Sequence, residues 1–234
     1  MKYEKIDVAS LTAEKLAKTI DHAMLRPNLT RDDIKKGCEL ALRYKVAAVC
    51  VNPYYVDLCV DILKGSGVKV SAVVAFPFGQ SIPEVKAAEA KYAIEKGAEE
   101  LDMVINVAAL KNGDHRYVVD DIRKVVEVSR GALVKVILEN CYLTDDEKIK
   151  ACRLAEEAGA HYVKTSTGFG SDGAKVEDVK LMYKTVGPRL GIKAAGGIRS
   201  LNKAIDMLKA GATRLGVSAT EKIMEEMKKT VKGC

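Results

Sequence analysis

The chain has no Cys-x-x-Cys pair, only three histidines in 234 residues, and no stretch of the roughly 18 apolar residues that a membrane span needs. Its six cysteines (Cys38, Cys50, Cys59, Cys141, Cys152 and Cys234) are dispersed, which argues against a disulfide framework and against a zinc site. Free thiols in a reducing cytoplasm fit that pattern. No signal-peptide pattern opens the sequence, so secretion and membrane insertion are not expected. Aromatics make up 5% and do not interleave with a basic patch, which disfavours a nucleic-acid partner. Neither a G-x-G-x-x-G nor a G-x-x-x-x-G-K-[ST] fingerprint occurs, and there is no low-complexity or linker-like stretch.

What is present is an ordinary core-forming composition, 48% hydrophobic and 30% charged, with a net charge of +6. The lysines alternate with glutamates along helix-like segments, the pattern of solvated faces with i,i+4 pairs. A mildly positive balance also attracts phosphorylated metabolites.

One rhythm runs through the chain: helix, glycine, short β-branched strand, loop. Strands are predicted at 19–25, 46–51, 68–76, 100–106, 133–140, 162–167, 192–195 and 213–218. Helices are predicted between them, with Thr30 and Thr144 as N-caps, Pro83 opening one, and Gly97, Gly159 and Gly211 closing three. Ser10 is expected to cap a short extra helix near the N-terminus. Eight alternating units in this length predict a closed (β/α)8 TIM barrel as a single domain over 1–234. An open doubly wound sheet is the second choice, weakened by the missing glycine fingerprint near the first strand.

The stretch Tyr162-Val-Lys-Thr-Ser-Thr-Gly-Phe-Gly170 begins as a strand and ends as a glycine loop, with Lys164 inside the strand. Period-two alternation sorts other charges as well. Asp102, Val104 and Asn106 share one face opposite Leu101, Met103 and Ile105. Lys135, Ile137 and Glu139 lie opposite Val134, Val136 and Leu138, and Lys193 sits between Ile192 and Ala194. The apolar sets suit the helix layer, so the charged sets should point into the barrel. Packed barrels fill that interior with Val, Ile and Leu. Charges there either form an ion network that ties the barrel together or make a site. Clustered lysines disfavour one another's charge, which frees an amine for Schiff-base chemistry beside a carboxylate that moves protons.

Gly168-Phe-Gly170, Gly196-Gly197 and Gly216-Val-Ser218 follow the last three strands. Glycine backbones at helix N-termini are suited to a phosphate. His22 reads as a hydrogen-bonded core histidine, and Cys50, Cys141 and Phe169 as packing.

Several of these stretches together resemble the 2-deoxyribose-5-phosphate aldolase family. They are Ile20-Asp-His22 with Leu25-Arg-Pro27, Val46-Ala-Ala-Val-Cys-Val-Asn-Pro53, Phe76-Pro-Phe-Gly79, Leu101-Asp-Met-Val-Ile-Asn-Val107, Lys135-Val-Ile-Leu-Glu139, Val163-Lys-Thr-Ser-Thr-Gly168, Ile192-Lys-Ala-Ala-Gly-Gly-Ile198 and Gly216-Val-Ser218. They span almost the whole chain. The resemblance implies a class I aldolase that needs no metal or other cofactor. It would cleave 2-deoxy-D-ribose 5-phosphate reversibly to D-glyceraldehyde 3-phosphate and acetaldehyde, as a cytoplasmic homodimer or homotetramer. It places the Schiff-base lysine on Lys164, the proton relay on Asp102 and a second active-site lysine on Lys193, whose charge would lower the pKa of Lys164. Substrate contacts would fall on Asp21, Lys135 and Thr167, and phosphate contacts on Gly168, Gly196, Gly197 and Ser218. Ala23, Ala75, Ala108 and Asn140 depart from the family pattern. The alternatives left open are another Schiff-base aldolase or transaldolase, and a non-catalytic barrel that binds a phosphometabolite.

Overall fold

Parallel strands that alternate with amphipathic helices bury both faces either by carrying helices on both sides of an open sheet or by wrapping into a barrel inside one ring of helices. The computed structural model, which describes residues 2–232, shows the second solution. Cys234 lies outside the described residues. In chain order the elements are α1 (Ala13–Ala17), β1 (Ile20–Met24), α2 (Arg31–Tyr44), β2 (Ala48–Val51), α3 (Val56–Leu63), β3 (Lys69–Val74), α4 (Pro83–Glu95), β4 (Glu100–Val104), α5 (Val107–Lys111), α6 (His115–Val128), β5 (Leu133–Ile137), α7 (Asp145–Glu157), β6 (Tyr162–Lys164), α8 (Val176–Val186), β7 (Gly191–Ala195), α9 (Leu201–Ala210), β8 (Arg214–Val217) and α10 (Thr220–Lys232). Each strand pairs in parallel with the next, and β8 closes onto β1. The sheet is therefore the closed (β/α)8 barrel and not the open one.

The main apolar core lies between barrel and helices. It takes Val49, Leu101, Met103, Val134, Val136, Val163, Ile192 and Leu215 from the outward faces of the strands. Burying each such side chain contributes about 1.5–3 kcal/mol. Inside the barrel the apolar cluster is small, formed by Leu25, Cys50 and Val73 with Ala23 and Phe76 against it. Alongside it the interior holds Val104, Ile137 and Ser71 together with the buried charges Asp21, Glu100, Asp102, Lys135, Lys164, Lys193 and Arg214.

Several strands end earlier than their composition suggests, because their last residues turn to other partners. Asn106, expected to point inward, instead caps α5, accepting from Ala109 N at 3.1 Å. Glu139 leaves the ladder with φ 56°, in the left-handed region. The short helix α5 has no counterpart in the sequence reading. At the N-terminus Thr12, not Ser10, caps α1 by accepting from Lys15 N, while Ser10 accepts from the Lys15 ammonium. Thr30 and Thr144 form full capping boxes with Asp33 and Glu147. His22 is buried, its Nδ1 2.9 Å from Thr220 Oγ1.

A second set of buried charges lies outside the barrel, between α4 and α6. Lys86 and Asp121 are both wholly buried, with Nζ 2.5 Å from Oδ2. Lys86 Nζ also donates to Val104 O at 2.9 Å, which pins the C-terminal end of β4 two residues beyond Asp102.

Candidate active site

Ladder register decides which inward side chains meet. Lys164 of β6 pairs with Lys193 of β7, Lys193 with Arg214 of β8, and Asp102 of β4 with Lys135 of β5. The two lysines therefore start level and converge on one acceptor. Lys164 Nζ and Lys193 Nζ both donate to Asp102 Oδ2, each at 2.7 Å. The other carboxylate oxygen, Oδ1, accepts from Lys135 Nζ at 2.9 Å and from Ser71 Oγ at 3.1 Å. Lys193 Nζ also bonds Asp21 Oδ2.

Electrostatics follow from these contacts. Burial alone would raise the Asp102 carboxyl, but Lys135, Lys164 and Lys193 outweigh it and hold the group well below the usual carboxylate range. Asp21 is likewise pulled down to about 2, against burial, by Arg214, Lys193 and Lys135. Burial disfavours the Lys193 ammonium, yet Asp102 and Asp21 more than compensate, and its pKa rises. The expectation that clustered lysines weaken one another's charge is thus overturned at Lys193, because interleaved carboxylates dominate. Lys135 is shifted up in the same way.

A cavity of about 510 Å³ opens over this cluster at the C-terminal end of the barrel. Lys164, Lys193, Thr167, Gly168, Gly196, Gly197 and Ser218 all line it. Lys164 is 2% exposed, so its amine borders the cavity with almost no bulk water around it. Gly196 and Gly197 have φ of 90° and 74°, conformations that glycine adopts without strain. Asp102, Asp21 and Lys135 are all 0% exposed and do not line the cavity. Asp21 and Lys135 are joined to the cavity wall through Lys193 and Asp102.

Thr167 is fixed from below by Glu139, whose carboxylate accepts from Thr167 N at 3.2 Å and from its hydroxyl. Burial raises the Glu139 pKa. Phe169 lies half exposed at the mouth, edge-on to Phe76 with centroids 5.4 Å apart.

Sequence reasoning missed four charged residues here. Arg26 and Arg199 line the cavity and add positive charge at its rim. Arg214 and Glu100 complete the buried network. Glu100 shares parity with Asp102, and Arg214 follows the seventh strand's lysine in register, so alternation held the signal for both. Among the described residues no group of three or more His, Cys, Asp or Glu side chains is placed to hold a metal ion.

Fold and site together define a barrel enzyme of the lysine-dependent aldolase class. Comparison with known proteins agrees: the chain belongs to the DeoC/LacD aldolase family, whose model matches residues 15–225. It is 55% identical to a deoxyribose-phosphate aldolase of Thermococcus kodakarensis over 92% of this chain and 98% of that protein. It is 54% identical to a deoxyribose-phosphate aldolase of Caldanaerobacter subterraneus subsp. tengcongensis, over 92% and 94%. Among solved structures it is similar to the deoxyribose phosphate aldolase of Aeropyrum pernix, described as having a unique tetrameric structure. The TM-score is 0.88 at 33% identity, covering 94% of this chain and 93% of that one.

Proposed function

We propose that this aldolase cleaves 2-deoxy-D-ribose 5-phosphate reversibly to D-glyceraldehyde 3-phosphate and acetaldehyde, with Lys164 as the Schiff-base nucleophile. The observation that carries the reading is a nearly dry lysine bordering the cavity and sharing one carboxylate oxygen with a second lysine. Lys164 as free amine attacks C1 of the open-chain sugar, and the carbinolamine loses water to give an iminium. The C3 hydroxyl then loses its proton toward Asp102, through a water and with Lys193 alongside. The C2–C3 bonding pair moves to C2, giving an enamine, and C3 becomes the aldehyde of glyceraldehyde 3-phosphate. Protonation of C2 and hydrolysis release acetaldehyde and restore Lys164. Proton transfer of this kind contributes about 10²–10⁴ in rate.

Asp102 is anchored for this role by Lys135 and Ser71, and Lys193 by Asp21. Lys135 and Asp21 thus act beneath the substrate in this reading. Thr167, Gly168, Gly196, Gly197 and Ser218 receive the sugar phosphate; positive-φ glycines in the loops after β6 and β7 let backbone N–H groups approach an anion. No metal or organic cofactor has a part in these steps. One (β/α)8 domain carries the whole activity, in the cytoplasm, where thiols such as Cys38, Cys50, Cys59, Cys141 and Cys152, all unbridged, stay reduced. Assembly as a homodimer or homotetramer is part of the proposal, supported by the tetrameric relative, and sedimentation of the purified protein tests it.

The reaction is tested by offering a panel of sugar phosphates and following aldehyde release. Turnover of 2-deoxyribose 5-phosphate but not of longer ketose phosphates supports the reading. Preference for the ketoses would assign a transaldolase-type reaction instead.

A further inference from the structure

The buried charges close into a ring. From Lys164 it runs through Asp102 to Lys193, then Asp21, Arg214, Glu100 and Lys135, and back to Asp102. Arg214 donates to Asp21 Oδ1 at 2.6 Å and to Glu100 Oε1 at 2.9 Å. Glu100 Oε2 lies 2.6 Å from Lys135 Nζ, in ion contact though off the hydrogen-bonding axis. The ring holds four basic groups (Lys135, Lys164, Lys193 and Arg214) against three carboxylates (Asp21, Glu100 and Asp102). Counted without the neighbouring Glu139, its own groups carry one cation in excess, and Lys164 is the one lysine with a face on the cavity besides Lys193. Lys193 is bound to two carboxylates and Lys164 to one, so Lys164 is the cation the ring holds by fewer partners.

From this geometry we propose that Arg214 and Glu100, neither of which reaches the substrate cavity, are positioning residues that set the charge of the ring and so the proton occupancy of Lys164. The proposal rests on the reading of Lys164 as nucleophile. The groups facing the ring from the surrounding elements are Cys50 on β2, Ser71 on β3, Glu139 after β5 and Tyr162 on β6. The Tyr162 ring lies 5.9 Å from the Arg214 guanidinium. Tyr3, packed edge-on against Tyr162 with centroids 4.6 Å apart, and His161 stand beneath. Cys50 is pushed up to about 11 by burial and Tyr3 to about 12, so both stay neutral across the working range. Burial lowers His161, so it is uncharged at neutral pH. Glu139, raised by burial but close enough to feel Lys164, is left untouched by substitution of Arg214 or Glu100, so the difference in charge between such variants comes from the ring's own members.

The two partners of one ion pair then have opposite effects. Arg214→Met removes a cation, leaves the ring negative around a free amine, and holds the proton on Lys164. Glu100→Gln removes an anion and expels that proton. The acid limb of the kcat/KM profile for 2-deoxyribose 5-phosphate should move up in the first variant and down in the second. The shift is on the order of one pH unit, the size expected for unit charges roughly 10 Å apart at an effective dielectric constant of about 20. The double variant Arg214→Met/Glu100→Gln should bring the limb back toward the parent. A pair that merely ties β4, β8 and β1 together would lower stability and rate in both single variants without moving the limb, or would move it the same way in both. Either result overturns the proposal. If Arg214→Met does not fold, Arg214→Lys must leave the limb in place and Glu100→Gln alone must lower it; any other pattern is equally contrary. Lys164→Ala serves as the separate control. If that variant keeps its turnover, the nucleophile assignment fails, whereas misdirected limbs with an inactive Lys164→Ala sink only the role of the Arg214–Glu100 pair.

Discussion

Substituting Lys86 by methionine removes the only cation in contact with the wholly buried Asp121 carboxylate among the described residues, while filling nearly the same volume. Asp121 Oδ1 has no hydrogen-bond partner, and apart from Lys86 the Asn106 backbone N–H is the group that supports the carboxylate, which is no substitute for a cation. Burial raises Asp121 and lowers Lys86, each against the pull of its partner. The pair therefore stands against a large desolvation cost, and breaking it leaves that cost uncompensated. An uncompensated buried charge costs about 3–5 kcal/mol. For a domain of this size each kcal/mol shifts the midpoint by about 2–4 °C, so Lys86→Met should melt about 6–20 °C lower. Adding Asp121→Asn removes the stranded charge at almost constant volume. What remains is the cost of one poorly partnered amide and the lost bond to Val104 O, about 1–3 kcal/mol. The double variant should thus be more stable than Lys86→Met alone. Urea unfolding monitored by circular dichroism, with midpoints compared at equal m-value, reads the effect. A double variant less stable than Lys86→Met would refute the reasoning, since the two side chains would then act independently.

Other consequences are open to the same kind of check. His22 is lowered to about 4 by burial from an ordinary value near 6.5, so the unfolded chain takes up a proton first as pH falls. That stability is full above about pH 6.5 and is lost as pH falls toward about 4, an effect of order 3 kcal/mol. Denaturation midpoints of His22→Asn should slope less across that window than those of the parent, and equal slopes would contradict the assignment. A Cβ on Gly196 would stand 2.9 Å from Gly173 Cα at a φ of 90°, so Gly196→Ala must shift the loop after β7. Its kcat/KM should fall about 10–100-fold for 2-deoxyribose 5-phosphate, the equivalent of about 1–3 kcal/mol of lost anion contacts. Unphosphorylated 2-deoxyribose should be much less affected, and equal losses on both would remove the phosphate from this loop. Ala75 holds a φ of 52°, a conformation that costs a residue with a Cβ about 1–2 kcal/mol. Ala75→Gly should therefore stabilise by up to about 1 kcal/mol once the greater unfolded-state freedom of glycine is deducted, and a lower melting point would count against strain at that turn.

Alternation was enough to read the barrel and its charged interior, because a strand's faces are set by parity and parity is written in the order of residues. Leu101, Met103 and Ile105 against Asp102 is the clearest case. Parity gives the face but not the level, and level is set by ladder register between strands far apart in sequence. That is why Asp21 and Lys135 could not be told from substrate contacts, and why the partnership of Arg214 with Glu100, 114 residues away, stayed hidden. The fate of lysine charges was misjudged for the same reason: three lysines look mutually repulsive until the carboxylates between them are placed. The helix α5 escaped because five residues are too few to show a period. Ala75 was among the departures from the family pattern, and it holds a left-handed φ of 52°, a conformation that glycine adopts without strain.

The central claim is that Lys164, not Lys193 or Lys135, carries the substrate as an imine. Borohydride reduction in the presence of 2-deoxyribose 5-phosphate, followed by peptide mass mapping, tests it most directly. The account predicts a single reduced adduct on the peptide containing Lys164. An adduct on Lys193 or Lys135, or none from a folded protein that binds the sugar phosphate, would contradict it.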